Sequence, residues 1–211
     1  MTGRHSEGRS ALVQSKILEV PGVGDNRDGR TVLYALAGRL REQLKTMRVL
    51  GANGTGDTMW LACSDHHGLI DLMPFQVKLP RALESGEALI AARDDIRRVL
   101  RGAAVGRVVL LSAGNNGRHK LGYYAEVPRI TMETVVAFAA AEEGMDFVRV
   151  SRATAKSWLG LPAEGGSEAY VDDVIKTPQV AHWKKKRDLA AMAAVAGVTE
   201  AERSGAGNTD D

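Results

Sequence analysis

Cysteine is almost missing from the chain, with Cys63 the single example in 211 residues. One cysteine closes no internal disulfide and forms no cysteine cluster for structural zinc. Long apolar runs are missing too. No stretch approaches the roughly 18 uninterrupted apolar residues of a membrane helix, so no membrane partner is expected. The opening ten residues, MTGRHSEGRS, are polar and do not read as a secretory signal. These absences together predict a cytoplasmic protein in a reducing compartment. A dominant charge sign is also lacking: 28 Lys+Arg against 26 Asp+Glu give a formal net charge of +2. Any basic surface that meets nucleic acid must therefore be local. What is present is core material. An apolar fraction of 44% excludes wholesale disorder. At roughly 150 residues per domain, the length fits one domain with extensions.

Along the chain, Pro21 to Asn26 is a turn-rich cluster. Leu33, Leu36, Leu40, Leu44 and Met47 then recur at helical spacing, predicting an amphipathic helix over 31–50. The glycine-rich stretch 51–57 reads as a linker, because no Lys-Ser or Lys-Thr follows to make it a phosphate loop. Apolar runs at 59–63, 69–73 and 75–79 read as three strands joined by short turns. A helix is expected over 87–101, with Ser85 as a cap and Leu89, Ala92, Ile96, Val99 and Leu100 on one face. Residues 107–111 read as a buried strand, 114–122 as a polar loop and 131–143 as a helix ended by Gly144. A fifth strand at 147–150, a short helix capped by Ser151 and a last helix from Thr177 to about Ala196 follow. The expected organisation is an N-terminal arm and helix over 1–56, a domain over 57–197 and a flexible tail over 198–211.

A three-strand meander followed by alternating helices and strands predicts an α/β domain with a mixed sheet. The order of elements resembles the ribonuclease-H-like fold, a five-stranded mixed sheet flanked by helices, here with an extra N-terminal helix. Within that superfamily, residues 57–197 resemble the RuvC-type Holliday-junction resolvases. Asp65 and the turn containing Gly68 stand where the family's first metal-binding Asp follows the first strand. The stretch Arg129-Ile130-Thr131-Met132-Glu133 is similar to the opening of its substrate-side helix. Val148-Arg149-Val150-Ser151 and Ala155-Lys156-Ser157-Trp158-Leu159-Gly160 are similar to the next strand and its Lys-containing turn. The run from Lys184 to Ala191 resembles the terminal helix, whose Asp completes the metal site. The resemblance implies a Mg²⁺-dependent nuclease, with Mn²⁺ as substitute, acting as a homodimer on branched DNA. Asp65, Glu133 and Asp188 are its expected catalytic and metal-binding residues. One departure stands out. The family carries a Glu near Leu111-Ser112-Ala113-Gly114, and no acid lies between Val105 and Lys120 here. Glu133 or Glu126 is then the substitute, or the site is incomplete and the protein does not cut.

Paired metal ions at a phosphodiester need several converging carboxylates, and three distant elements can supply them. Each acid also has a structural reading: Asp65 ending a strand, Glu133 favouring a helix start, Asp188 pairing along its helix. Asp65-His66-His67 also spells the signature triplet of the DHH phosphoesterases, but the upstream Asp-rich motifs of that family are missing. His66 and His67 otherwise read as exposed turn residues. Two basic clusters are candidates for nucleic-acid phosphates: Arg118, His119 and Lys120 beside Tyr123 and Tyr124, and the run Lys184, Lys185, Lys186, Arg187. The competing function is a non-catalytic nucleic-acid-binding or scaffold protein that retains the fold.

Overall fold

The glycine-rich stretch after Met47 is a strand. β1, Arg48–Thr55, replaces both the last turn of the expected helix and most of the expected linker. It belongs to a computed structural model that describes residues 47–80, 85–112, 123–166, 170, 171, 175 and 186–206. The chain divides into two units, Met1–Ala37 and Gly38–Asp211, and the first lies outside the described residues. So do residues 31–46 of the expected amphipathic helix, the loop 114–122 and the start of the last helix at Thr177.

β1 turns through Gly56 and Asp57 into β2, Thr58–Asp65, in register from Thr55 opposite Thr58 to Val49 opposite Ser64. Gly56 has φ +58°, the left-handed conformation that a two-residue hairpin turn needs and glycine supplies without steric cost. β3, Gly68–Ile70, and β4, Gln76–Lys78, both pair antiparallel with β2 and share its outer edge. β5, Val105–Ser112, runs parallel to β1, and β6, Asp146–Ser151, runs parallel to β5. The order is β3-β2-β1-β5-β6, with β4 beside β3 on β2. The sheet is thus mixed, with six strands where five were expected. Its central position for β5 and edge position for β4 agree with the continuous apolar run of one and the alternation of the other.

Among the described residues four helices flank it: α1, Ser85–Gly102; α2, Tyr123–Glu142; α3, Arg152–Trp158; and α4, Arg187–Ala206. Alternation along β1 sends Leu50 and Ala52 to a core shared with α1 and α2, and Val49 to a second core shared with α3 and α4. The result is a sheet with a helical layer on each face. α2 begins upstream of the expected start and carries Pro128 within it. α4 runs ten residues past the expected end at Ala196, because Val198 and Ala201 remain buried, so the expected tail from Val198 is helix up to Ala206. Gly51 is required by this packing: a Cβ there would strike the backbone carbonyl of Ala190 and the backbone nitrogen of Ala194. The small residues Ala190, Ala191, Ala193 and Ala194, all fully buried, let α4 lie close to β1. Among the described residues no helix is long and apolar enough to cross a membrane.

Candidate nucleic-acid interface at the carboxyl end of β1

Parallel strands β1 and β5 end side by side, Asn53 opposite Leu111, and β5 ends with Ser112 opposite Ser151 of β6. In open α/β sheets, ligands bind beyond such carboxyl strand ends. Asn53 is buried, 4% exposed, and its Nδ2 donates to the carbonyl of Lys186 at 3.0 Å, immediately before α4. Two residues on, Asp188 is buried in the first turn of α4, where its Oδ1 accepts from the backbone N–H of Leu189 at 2.7 Å. A carboxylate there is favoured by the positive end of the helix dipole.

The next residue of β1 faces the other layer. Gly54 lets α2 approach, since a Cβ there would come within 3.0 Å of Arg129 Cγ and 3.6 Å of Glu133 Cγ. Glu133 is buried, 4% exposed, with Arg129 Nε at 3.5 Å and an Arg149 guanidinium nitrogen at 3.5 Å. Burial raises its pKa above the ordinary carboxylate value, and Arg149 and then Arg129 oppose that rise. Arg149, from β6, keeps about half of its side chain exposed. Lys186, exposed, lies with Nζ 5.7 Å from the ring centre of Trp60.

Glu133 and Asp188 therefore stand at one end of β1, on opposite faces of the sheet. Asp65 stands elsewhere. The first strand is β1, not the run at 59–63, and Asp65 ends the antiparallel β2 near the start of β1. Trp60 is the residue paired with Asn53, so Asp65 lies five residues, roughly 16 Å, along the strand from that end. There its Oδ1 accepts the His67 backbone N–H at 2.8 Å, closing a turn with exposed His66 and His67 and with Gly68 at φ +122°. Glu126, the other expected substitute, lies 4.0 Å from Arg129 in the first turns of α2. No acid appears on β5, and no group of three or more His, Cys, Asp or Glu among the described residues is placed to hold a metal ion. Mg²⁺ demands near-octahedral oxygen ligands, usually including carboxylates. Here β1 offers an amide committed to Lys186, β5 a hydroxyl, α2 a glutamate paired with two arginines, and α4 one buried aspartate on the other face of the sheet, so two carboxylates on opposite faces are all that this end supplies among the described residues. The residues present do not fit the metal pair of a phosphodiesterase.

Of the basic clusters, Arg118, His119, Lys120, Lys184 and Lys185 lie outside the described residues. Arg187 does not serve as a surface phosphate contact. It is 1% exposed, its Nε and a terminal nitrogen donate to the carbonyls of Leu61 and Leu72 at 3.3 and 3.4 Å, and its guanidinium lies 4.8 Å from the Phe75 ring centre. Lys156 is likewise internal, its Nζ donating to the carbonyls of Ala163, Glu164 and Gly165 at 2.9, 2.9 and 3.1 Å. Cys63 is buried, and that burial pushes its thiol pKa to about 11, so it is no nucleophile at neutral pH.

No protein-family model matches the sequence, and no curated protein matches it either. Solved structures do. A Thermus thermophilus RuvC structure superposes with a TM-score of 0.59 and 16% identity over 75% of this chain and 97% of that one. The chain has the ribonuclease-H-like fold of the RuvC resolvases. The same bacterium's RuvC in complex with a Holliday junction substrate matches with a TM-score of 0.57 and 16% identity, covering 74% of this chain and 96% of that one. The yeast mitochondrial Holliday junction resolvase Ydc2 matches at 0.51 with 12% identity, over 83% and 88% of the two chains. On the RuvC-like fold the carboxyl end of β1 carries Asn53, the residue that sequence reasoning missed. Gly51 and Gly54 on either side had made the strand look like a linker. The usable signal was the apolar start Val49-Leu50 and a two-residue Gly-Asp turn leading straight into β2.

Proposed function

We propose that the protein is a cytoplasmic nucleic-acid-binding protein that holds branched DNA without cutting it. The observation that carries this reading is the Asn53 amide at the carboxyl end of β1, held by the Lys186 carbonyl. Arg129, Arg149 and Lys186 stand around that strand end. Such a surface suits phosphate oxygens better than a pair of divalent cations. The likeness of fold to a RuvC bound to a Holliday junction supports a branched substrate. A four-way junction is symmetrical, so a homodimer belongs to the same reading.

A second reading, a Mg²⁺-dependent endonuclease on branched DNA with Mn²⁺ as substitute, keeps one observation in its favour. Buried Glu133 and Asp188 flank the end of β1 from its two faces. Binding is tested first, by gel retardation of a four-way junction and a linear duplex in EDTA over a range of salt. The proposal expects junction-selective retardation that weakens steeply with salt. Changing Lys184, Lys185 and Lys186 to Gln should flatten the log–log salt slope, by about 0.9 for each phosphate no longer neutralised. No retardation at low salt would overturn it.

A further inference from the structure

Two carboxylates on or just beyond α2 are held very differently. Glu143, with a side chain 9% exposed, takes nitrogens of Arg97 and Arg101 at 2.6 Å. Glu133, with a side chain 5% exposed, has its two arginines, Arg129 and Arg149, at 3.5 Å. Its Oε1 and the Nε of Arg129 are both buried, and neither closes a hydrogen bond among the described residues. A buried charge that serves stability is fully hydrogen-bonded, because a half-satisfied polar cluster is worse than apolar packing. The Glu143 cluster is therefore a clamp, and the Glu133 cluster holds donors that it does not use. It also stands within reach of a ligand. Gly54, at the carboxyl end of β1, adds no side chain beside it, and about half of Arg149 is in solvent.

We propose that Arg129 and Arg149 form a phosphate site that the chain fills with its own carboxylate, Glu133, until an external phosphate takes over that contact. Phosphate oxygens accept paired guanidinium hydrogen bonds at about 2.7–2.9 Å, closer than the contacts Glu133 achieves. Arg149 exchanges first, because it comes from β6 and its guanidinium already reaches solvent. Arg129, four residues before Glu133 on α2, stays behind to neutralise the buried acid. The incoming phosphate then lies beside a carboxylate, and the like charges oppose its binding. Glu133 is thus a built-in competitor. It weakens the hold on any single phosphate and leaves retention to ligands that also engage other cations, Lys186 among them. Glu126 supplies the control, since it carries the same charge on the same helix but among the described residues pairs with Arg129 alone, at 4.0 Å.

This inference rests on the nucleic-acid reading above, and its test begins with inorganic phosphate so that the two fail separately. Thermal unfolding of the full chain is followed at neutral pH in sodium phosphate, up to about 50 mM, and in sodium chloride of equal ionic strength, a range that covers millimolar affinity. At ten times its dissociation constant, phosphate should raise the midpoint of Glu133→Gln by about 3–6 °C. The parent, binding about tenfold more weakly, should gain about 1–2 °C. Glu133→Ala is the second variant, with the same expectation as Glu133→Gln. Adding Arg149→Gln to either should return the midpoint to the chloride baseline. On a four-way junction in EDTA, Glu133→Gln should tighten binding about tenfold and steepen the log–log salt slope by about 0.9, one more phosphate neutralised. Glu126→Gln should do neither, and Glu133→Gln should change nothing once Arg149 is Gln. No added phosphate response in either Glu133 variant, or one that survives Arg149→Gln, overturns the site. Glu126→Gln tightening the junction as much as Glu133→Gln reduces the effect to net charge and overturns the competitor. The expected phosphate response without junction binding by any variant would leave this inference standing and remove the nucleic-acid reading.

Discussion

Replacing Asn53 by Asp exchanges an amide nitrogen for an oxygen and tests the strand-end geometry directly. The amide donates to the Lys186 carbonyl at 3.0 Å, and the residue is 4% exposed. An ionised carboxylate has no donor, so two oxygens would face one another in a place that water barely reaches. Leaving a buried acceptor unmet costs about 1–3 kcal/mol, and more when the group is charged. Taking about 3 kcal/mol, and roughly 2–4 °C per kcal/mol for a chain of this size, the thermal midpoint should fall by about 6–12 °C at pH 7. Lowering the pH protonates the new acid and restores a donor, so the deficit should shrink as the medium becomes acidic. The new carboxylate also faces the Lys186 carbonyl, two residues before Asp188, which gives the variant a cation preference that the parent lacks. Divalent cation at ten times its dissociation constant would return about 1.4 kcal/mol to the variant. The assay is thermal unfolding by circular dichroism at two pH values, with and without Mg²⁺. A variant as stable as the parent at pH 7 would mean that the amide bond to the Lys186 carbonyl contributes nothing to stability.

Gly51→Ala should lower stability by about 1–3 kcal/mol, because the added methyl meets α4 backbone atoms that cannot rotate away; Gly86→Ala, with open space around it, should not. Urea denaturation of both variants decides this. Arg187→Gln should cost roughly 2–3 kcal/mol of stability by removing the hydrogen bonds to the Leu61 and Leu72 carbonyls, with junction affinity of the folded protein unchanged. Glu143, hydrogen-bonded by Arg101 and then Arg97 across α1, has its pKa lowered from 4.5 to about 2. Its folded value lies below its unfolded value, so its stabilisation is complete above about pH 4.5 and disappears as the pH falls towards 2. Glu143→Gln should therefore lower the thermal midpoint at pH 7 and make it less sensitive to acid, as read in a pH series of melts.

Much of the fold was legible where periodicity was clean. The buried run at β5, the alternation at β4, the face of Ala92, Ile96, Val99 and Leu100 on α1 and the cap of α3 all correspond to elements seen, Ser151 accepting the Thr154 N–H, while Ser85 is the first residue of α1 itself and Leu89 is exposed. β1 was illegible because its glycines serve a tertiary purpose. Gly51 is small for the sake of α4, a helix 139 residues further along in the chain, and no local pattern reports that. Missing β1 shifted the apparent first strand to β2 and with it the apparent first acid to Asp65. The run Lys184 to Arg187 misled for a related reason. Four adjacent cations look like one surface, yet Arg187 turns inward to the carbonyls of β2 and the loop before β4. Glu133 and Asp188 do lie on helices, as periodicity suggested, but their surroundings, Arg149 from β6 beside one and the Asn53 end of β1 near the other, are products of the fold.

The proposed function has this fold bind branched DNA without cutting it. One reaction tests it: an end-labelled four-way junction incubated with excess parent protein in Mg²⁺ and, separately, in Mn²⁺, then divided between a native and a denaturing gel. The expected result is a retarded complex on the native gel and full-length strands on the denaturing one, in both metals. Symmetrical strand cleavage that is lost in Asp188→Asn would contradict it and establish the nuclease instead.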